Sequence, residues 1–273
     1  VGARLEPPAK MKRRAPRGQR GLTLVELLVV IAIIAVLAGI LVPMLKAGLV
    51  AARRAACISN LRQIGAGIAA YAGDNNGQIP YGPKAPPFTN PFDFYPSTGA
   101  PTSLISLQSG QPVGLGLLLA QYLSKTPQVL FCPGADQPMN VEAQLAQVGV
   151  GQAQSSYYYR HGGNPNLFDP QGQAPAMPNI SLANLGVNSQ GVPIRALVMD
   201  TVFFAAQEFS NFGINTQTNH QQGHWVNVLY ADGHVNEFVN NNGRFNVNDT
   251  SYSSLDSSFS SILSVFEKAD ALP

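Results

Sequence analysis

Charge is scarce in this chain, and cysteine is scarcer. Charged residues make up 12% of the 273 residues, against 45% hydrophobic, which is about half the usual charged share of a soluble domain. That deficit argues against an ordinary cytosolic enzyme. The only cysteines are Cys57 and Cys132, and no CxxC or Cys/His spacing accompanies them to mark a zinc motif. An even pair in an exported domain permits a disulfide, which would close a loop of about 75 residues and contribute roughly 4 kcal/mol in the chain-entropy model. Two separate buried thiols are the alternative. No nucleophile elbow, phosphate-binding loop or pair of catalytic carboxylates is present, and no internal repeat stands out.

Acidic residues are also nearly missing from the first 20 positions. Arg4, Lys10, Lys12, Arg13, Arg14, Arg17 and Arg20 face a single acid there, Glu6. Without residues 1–21 the chain keeps ten basic and 14 acidic residues, a net charge of −4. A basic tail can bind nucleic acid, but this one abuts a membrane-length segment. Residues 27–45 carry no charge, and 19 residues of helix span roughly 28 Å, close to the hydrocarbon thickness of a bilayer. The positive flank is N-terminal, so the positive-inside rule places residues 1–20 in the cytoplasm and exports the remainder. Nucleic acid is not an expected partner.

The run is too long for a secretory signal, lacks an A-x-A-like site and continues into further helix. A plain single-pass anchor would satisfy hydropathy alone. Glu26 does not fit that reading, because a carboxylate at the edge of such a segment calls for a partner. The stretch Gly21-Leu22-Thr23-Leu24-Val25-Glu26-Leu27-Leu28 resembles the signal of type IV prepilins and type II secretion pseudopilins. The resemblance implies cleavage after Gly21 by prepilin peptidase and N-methylation of the new first residue, Leu22, where most members have Phe. Counted from Leu22, Glu26 is fifth and Pro43 twenty-second, the positions of the family's glutamate and of a frequent helix-kinking proline. Glu26 of one subunit is then expected to meet the Leu22 amine of its neighbour during assembly. Met11 offers an internal start that would give an 11-residue leader.

From Lys46 the pattern turns amphipathic. Leu49, Ala52, Ala56, Cys57, Leu61, Ile64, Ile68 and Tyr71 recur at three or four residues and define one buried stripe, leaving Arg53, Arg54 and Arg62 on a solvated face. The helix should stop at Gly73-Asp74-Asn75-Asn76-Gly77. The segment from Cys57 to Pro80, together with Phe131-Cys132-Pro133-Gly134, resembles a large group of bacterial pseudopilin-like proteins. That group ends in a processing-associated motif of His, nine residues and Asp-Gly. Here Asp232-Gly233 has His220 eleven residues before it and His224 seven, so the motif is a variant.

In the remainder, residues 81–112 read as a surface excursion and 115–123 as a short helix. Strands are expected at 128–132, 155–160 and 194–204, with loop at 161–193. Residues 225–231 and 234–239 flank Asp232-Gly233 as a hairpin with a two-residue turn. A C-terminal helix carries Leu255, Phe259, Ile262, Leu263 and Phe266. His220, His224 and Asp232 are the candidate metal ligands, although Gln-Gln-Gly between the histidines is a poor helix. Some type II pseudopilins hold calcium in a head loop, and Asp200, Asp232 or Asp249 would supply oxygens; otherwise no cofactor is expected.

The fold class expected is α+β: a long N-terminal spine helix packed on a small antiparallel sheet with long loops. The segments are a leader (1–21), a membrane or filament-core helix (22–45), its amphipathic continuation (46–73) and an exported head (74–273). The expected function is a non-enzymatic filament subunit of a type II secretion-like pseudopilus or a type IV pilus-like fibre. Its partners would be prepilin peptidase, other pilin or pseudopilin subunits, an inner-membrane assembly platform and the lipid bilayer. The competing reading is a membrane-tethered binding or metal-dependent hydrolytic head built on His220, His224 and Asp232.

Overall fold

The charge-free run and the amphipathic run join in one helix, α1, Leu24–Asp74, which is continuous through Pro43. The computed structural model describes residues 23–83, 101–134, 136–164, 181–212, 216–220, 224–249 and 255–272. The 1–21 leader, Gly21 and Leu22 lie outside them, as do parts of the two expected loops. After α1 come β1 (Tyr81–Pro83), β2 (Thr102–Ser106), α2 (Val141–Gln147), β3 (Ala153–Tyr159), β4 (Gly162–Asn164), β5 (Ala196–Met199), β6 (Phe203–Ala205), β7 (Trp225–Tyr230), β8 (Val235–Val239), β9 (Val247–Asp249) and α3 (Leu255–Asp270). The chain separates into two units, Val1–Gly48 and Leu49–Pro273, and α1 contributes to both.

In the first unit the apolar side chains from Leu24 to Leu45 are exposed. Its many Val and Ile residues are mediocre helix formers in water, whereas in a bilayer only a helix satisfies every backbone group of a lone span. This part of α1 is long and apolar enough to cross a membrane.

The second unit is α+β. Five antiparallel strands form its sheet in the order β2-β3-β5-β7-β8, and two short parallel pairs, β1-β4 and β6-β9, flank it. All seven residues of β3 and all four of β5 are buried, so both faces of the central strands are covered. On one face Cys57, Leu61, Ile64 and Ile68 of α1 pack with Tyr157, Tyr159, Leu197 and Leu229. On the other, Ile262, Val265, Phe266 and Ala269 of α3 pack with Tyr158, Ala196, Val226, Val228 and Tyr230. The alternation of Tyr157, Tyr158 and Tyr159 between the two faces is the period-two signature of a strand. Each fully buried Leu or Ile contributes roughly 1.5–3 kcal/mol of transfer free energy.

The buried stripe of α1 begins at Cys57; Leu49, Ala52 and Ala56 are exposed. Arg54 departs from the expected solvated face. Its guanidinium forms a bidentate ion pair with Glu237 on β8 and lies 4.1 Å from the ring centroid of Trp225 on β7. The breaker cluster ends α1 as expected. Asn76 and Gly77 adopt left-handed backbone (φ 55° and 79°), and the Gly77 N–H donates to the Ala72 carbonyl at 2.7 Å, capping the last turn.

Several expectations are corrected. Residues 128–132 form no strand: a 3-10 turn occupies Pro127–Leu130, because Pro127 lacks an N–H for a ladder and presets the first turn. The helix expected at 115–123 is a 3-10 turn at Gly114–Leu118. The apolar run 194–204 splits at Asp200-Thr201 into β5 and β6. Inside the expected excursion, residues 102–106 form strand β2, and within 161–193 a short strand β4 appears. The hairpin loop spans 231–233, one residue longer than expected. Tyr230 N–H donates to the His234 carbonyl at 2.9 Å, and Gly233 takes φ 87°, a three-residue loop with glycine in the left-handed position.

A Cβ on Gly116 would overlap the Ile105 carbonyl oxygen. That oxygen is held by the Val113 N–H at 3.1 Å, so neither side gives way easily. Gly116→Ala is expected to destabilise the second unit by about 3 kcal/mol, read as a lower denaturant midpoint at unchanged slope in equilibrium unfolding.

Candidate functional site

Two places gather candidate functional side chains, the start of α1 and the interior of the second unit. At the start, Thr23 precedes the first helical residue. Its N–H and hydroxyl both donate to Glu26 Oε2 at 2.8 Å, and the Glu26 N–H donates to Thr23 Oγ1 at 3.2 Å. This is a capping box, in which the residues at the N-cap and N3 positions satisfy two otherwise unpaired helix donors. Glu26 thus has an intramolecular partner within the single chain. It also sits in the first turn, where the helix dipole favours negative charge. The Thr-x-x-Glu spacing was readable in the sequence as a helix start.

The expected metal set in the head does not assemble as a set. Asp232 is exposed in the hairpin loop and pairs with its near neighbour His234, accepting also from the His234 N–H at 3.2 Å. His224 is exposed just before β7. Both His220 and His224 have left-handed backbone (φ 51° and 55°), so the two never share a helical face. Asp249, a calcium candidate, is buried at the end of β9, apart from any carboxylate group that converges among the described residues.

His220 instead joins Cys57, Cys132 and Asp200. Among the described residues these four form the one group of His, Cys, Asp and Glu whose ligand atoms converge, all within 4.8 Å of one another. The Cys57 Sγ lies 2.9 Å from the Cys132 Sγ and 3.1 Å from Asp200 Oδ2. His220 Nε2 is 3.1 Å from the Cys132 Sγ and 3.5 Å from Asp200 Oδ2. Both cysteines are free thiols. Of the two readings left open, a bridge or separate thiols, the described structure has unbridged thiols, and they belong to a larger cluster with a carboxylate and an imidazole.

Each member is placed by a different element. Cys57 faces the sheet from α1, and Cys132 follows the Pro127–Leu130 turn. Asp200 follows β5, and His220 ends a segment ahead of β7. Asn227 on β7 fixes the carboxylate: its N–H donates to Asp200 Oδ1 and its Nδ2 to Oδ2, both at 2.6 Å. The Tyr157 hydroxyl lies 3.2 Å from the Cys57 Sγ, and the Cys132 N–H donates to the Ser156 hydroxyl. Burial raises the Asp200 carboxyl above its usual range, outweighing the opposing charge of His220 and the hydrogen bonds from Asn227. Burial would lower the His220 imidazole, but the hydrogen bond with Cys132 and the charge of Asp200 push it up to about 9. At Cys132 burial acts upward, and the contacts with Cys57 and His220 bring the thiol below its ordinary value.

A family model described as a prokaryotic N-terminal methylation motif matches residues 16–42, spanning Gly21, Glu26 and most of the apolar run. Over that stretch the chain is similar to type IV pilin-like proteins. No curated protein and no solved structure matches it. The methylation motif covers the start of α1 and leaves the buried cluster wholly outside it. In the sequence Cys57 and Cys132 stood out as a possible disulfide pair, and His220 with His224 and Asp232 as possible metal ligands. Asp200 was named only as a candidate calcium ligand with Asp232 and Asp249, so no local spacing connected the four.

Proposed function

We propose that this pilin-like chain is a structural subunit, cut by prepilin peptidase after Gly21, N-methylated on Leu22 and assembled with other pilin-type subunits. The observation that carries the reading is the methylation motif at residues 16–42 coinciding with the exposed apolar part of a 51-residue helix. An apolar surface of that extent needs a cover. Before assembly the bilayer supplies it, with the leader in the cytoplasm and the head exported; after assembly neighbouring helices do. Pro43, which removes one helix hydrogen bond, is where α1 would bend or unwind as it leaves the membrane. The Asp232-Gly233 hairpin, with its likeness to the pseudopilin-like group, favours a secretion-type pseudopilus over a surface pilus. In this reading the subunit performs no catalysis.

Mass spectrometry of the membrane-extracted chain tests the processing step. The expected N-terminus is N-methyl-Leu22, with residues 1–21 absent. An intact leader in cells that contain active prepilin peptidase would defeat the proposal.

A further inference from the structure

Four side chains with metal-ligand chemistry converge in the interior from positions 57, 132, 200 and 220. None is more than 7% exposed. A buried carboxylate, an imidazole and two thiols form an unusual core, since each is costly to desolvate without a partner. A hydrophobic contact between α1 and the sheet would have needed none of them. Nor does a disulfide explain the arrangement, because a bridge between Cys57 and Cys132 would leave Asp200 and His220 packed against it without a role.

We propose that Cys57, Cys132, His220 and Asp200 bind one zinc ion, which fastens α1 to the sheet. Two thiolates, one imidazole and one carboxylate suit a borderline-soft divalent ion and not calcium, which takes six to eight oxygens. Tetrahedral zinc places its ligand atoms about 3.3–3.8 Å apart, given metal–ligand distances of about 2.0–2.3 Å. Four of the separations are 2.9–3.5 Å and all lie within 4.8 Å, so they bracket that spacing, and the two sulfurs would part by about 0.9 Å around an ion. Binding expels the thiol protons to solvent. All four ligands are protein groups and all are buried, so no coordination position is left for water or substrate. Such a closed site is structural rather than catalytic.

The surroundings are those of a held ligand set. The two hydrogen bonds from Asn227 orient the Asp200 carboxylate, and Tyr157 and Ser156 flank the two cysteines; outer contacts of this kind fix ligand orientation and tune affinity. The left-handed backbone of His220 is a conformation that costs about 1–3 kcal/mol outside glycine, and it presents the ring to the cluster.

The test uses the full-length chain, extracted in detergent and purified with reductant but without chelator. Elemental analysis is expected to find about one zinc per chain, and less than about a tenth of that in Cys132→Ser or His220→Ala, because each removes a first ligand. His224→Ala and Asp232→Asn, which lie outside the cluster, should keep full metal content. Should the ligand variants fail to fold, the unmutated chain still decides the matter. After exchange it should bind one cobalt ion with the visible absorption of tetrahedral cobalt–thiolate. A reduced chain that takes up neither zinc nor cobalt overturns the proposal. So does a native chain in which Cys57 and Cys132 are fully disulfide-linked.

Discussion

Glu26→Gln is expected to leave cleavage and N-methylation intact while filament incorporation collapses. Glutamine keeps the Thr23 capping box, since a Gln at this position still accepts from the N-cap backbone. It loses only the charge. If Glu26 meets the methylated amine of Leu22 on the next subunit, the substitution leaves that amine unpaired in an apolar setting. Breaking a buried pair from one side costs about 3–5 kcal/mol, or about two to four orders of magnitude at each subunit contact. Glu26→Ala removes both charge and cap, and exposes the helix start to a further loss of about 1 kcal/mol. Quantifying the assembled fraction of wild type, Gln and Ala variants separates the two roles. Wild-type assembly of Glu26→Gln alongside a defective Glu26→Ala would assign the residue to capping and reject charge pairing.

The second large effect lies at the far end of the chain. Asp270 closes α3 and is almost fully buried. Its carboxylate accepts from Arg160 Nη1 at 3.0 Å, from the Arg195 and Ala196 N–H groups at 2.9 Å each, and from Asn188 Nδ2 at 3.2 Å. Arg160 is itself fully buried on the other side of that pair. Asp270→Ala therefore leaves a buried guanidinium without its carboxylate and two backbone donors without an acceptor. The expected cost is about 3–5 kcal/mol, a fall of roughly 10 °C or more in Tm for a unit of this size. Thermal unfolding of the detergent-solubilised chain reads it. A shift under about 2 °C would mean that α3 is held by its apolar face alone.

What could be read from residue order follows from how local each signal is. The span 27–45 announces itself by composition, and the stop at Gly73–Gly77 by its breakers. The Asp232-Gly233 hairpin is a signal of two adjacent residues. Residues 128–132 misled because a short apolar run looks the same in a strand and in a buried turn, and Pro127 decided between them. Strand β2 was hidden because Thr102, Ser103 and Ser106 are polar, yet two of the three are buried by tertiary packing. The interior cluster was the least legible feature. Its members are separated by 20 to 75 residues, so only the folded sheet brings them within bonding range. Arg54 misled in the same way: its partners Glu237 and Trp225 lie more than 170 residues downstream.

If the chain assembles as proposed, the row formed by Cys57, Leu61, Ile64 and Ile68 has a mechanical meaning for a fibre under load. Tension carried along α1 would then load the sheet face on which that row is seated. These contacts, and the Arg54–Glu237 pair beside them, are then strained all at once in shear instead of being peeled apart one after another. Under such a load the second unit would be held by the whole row together.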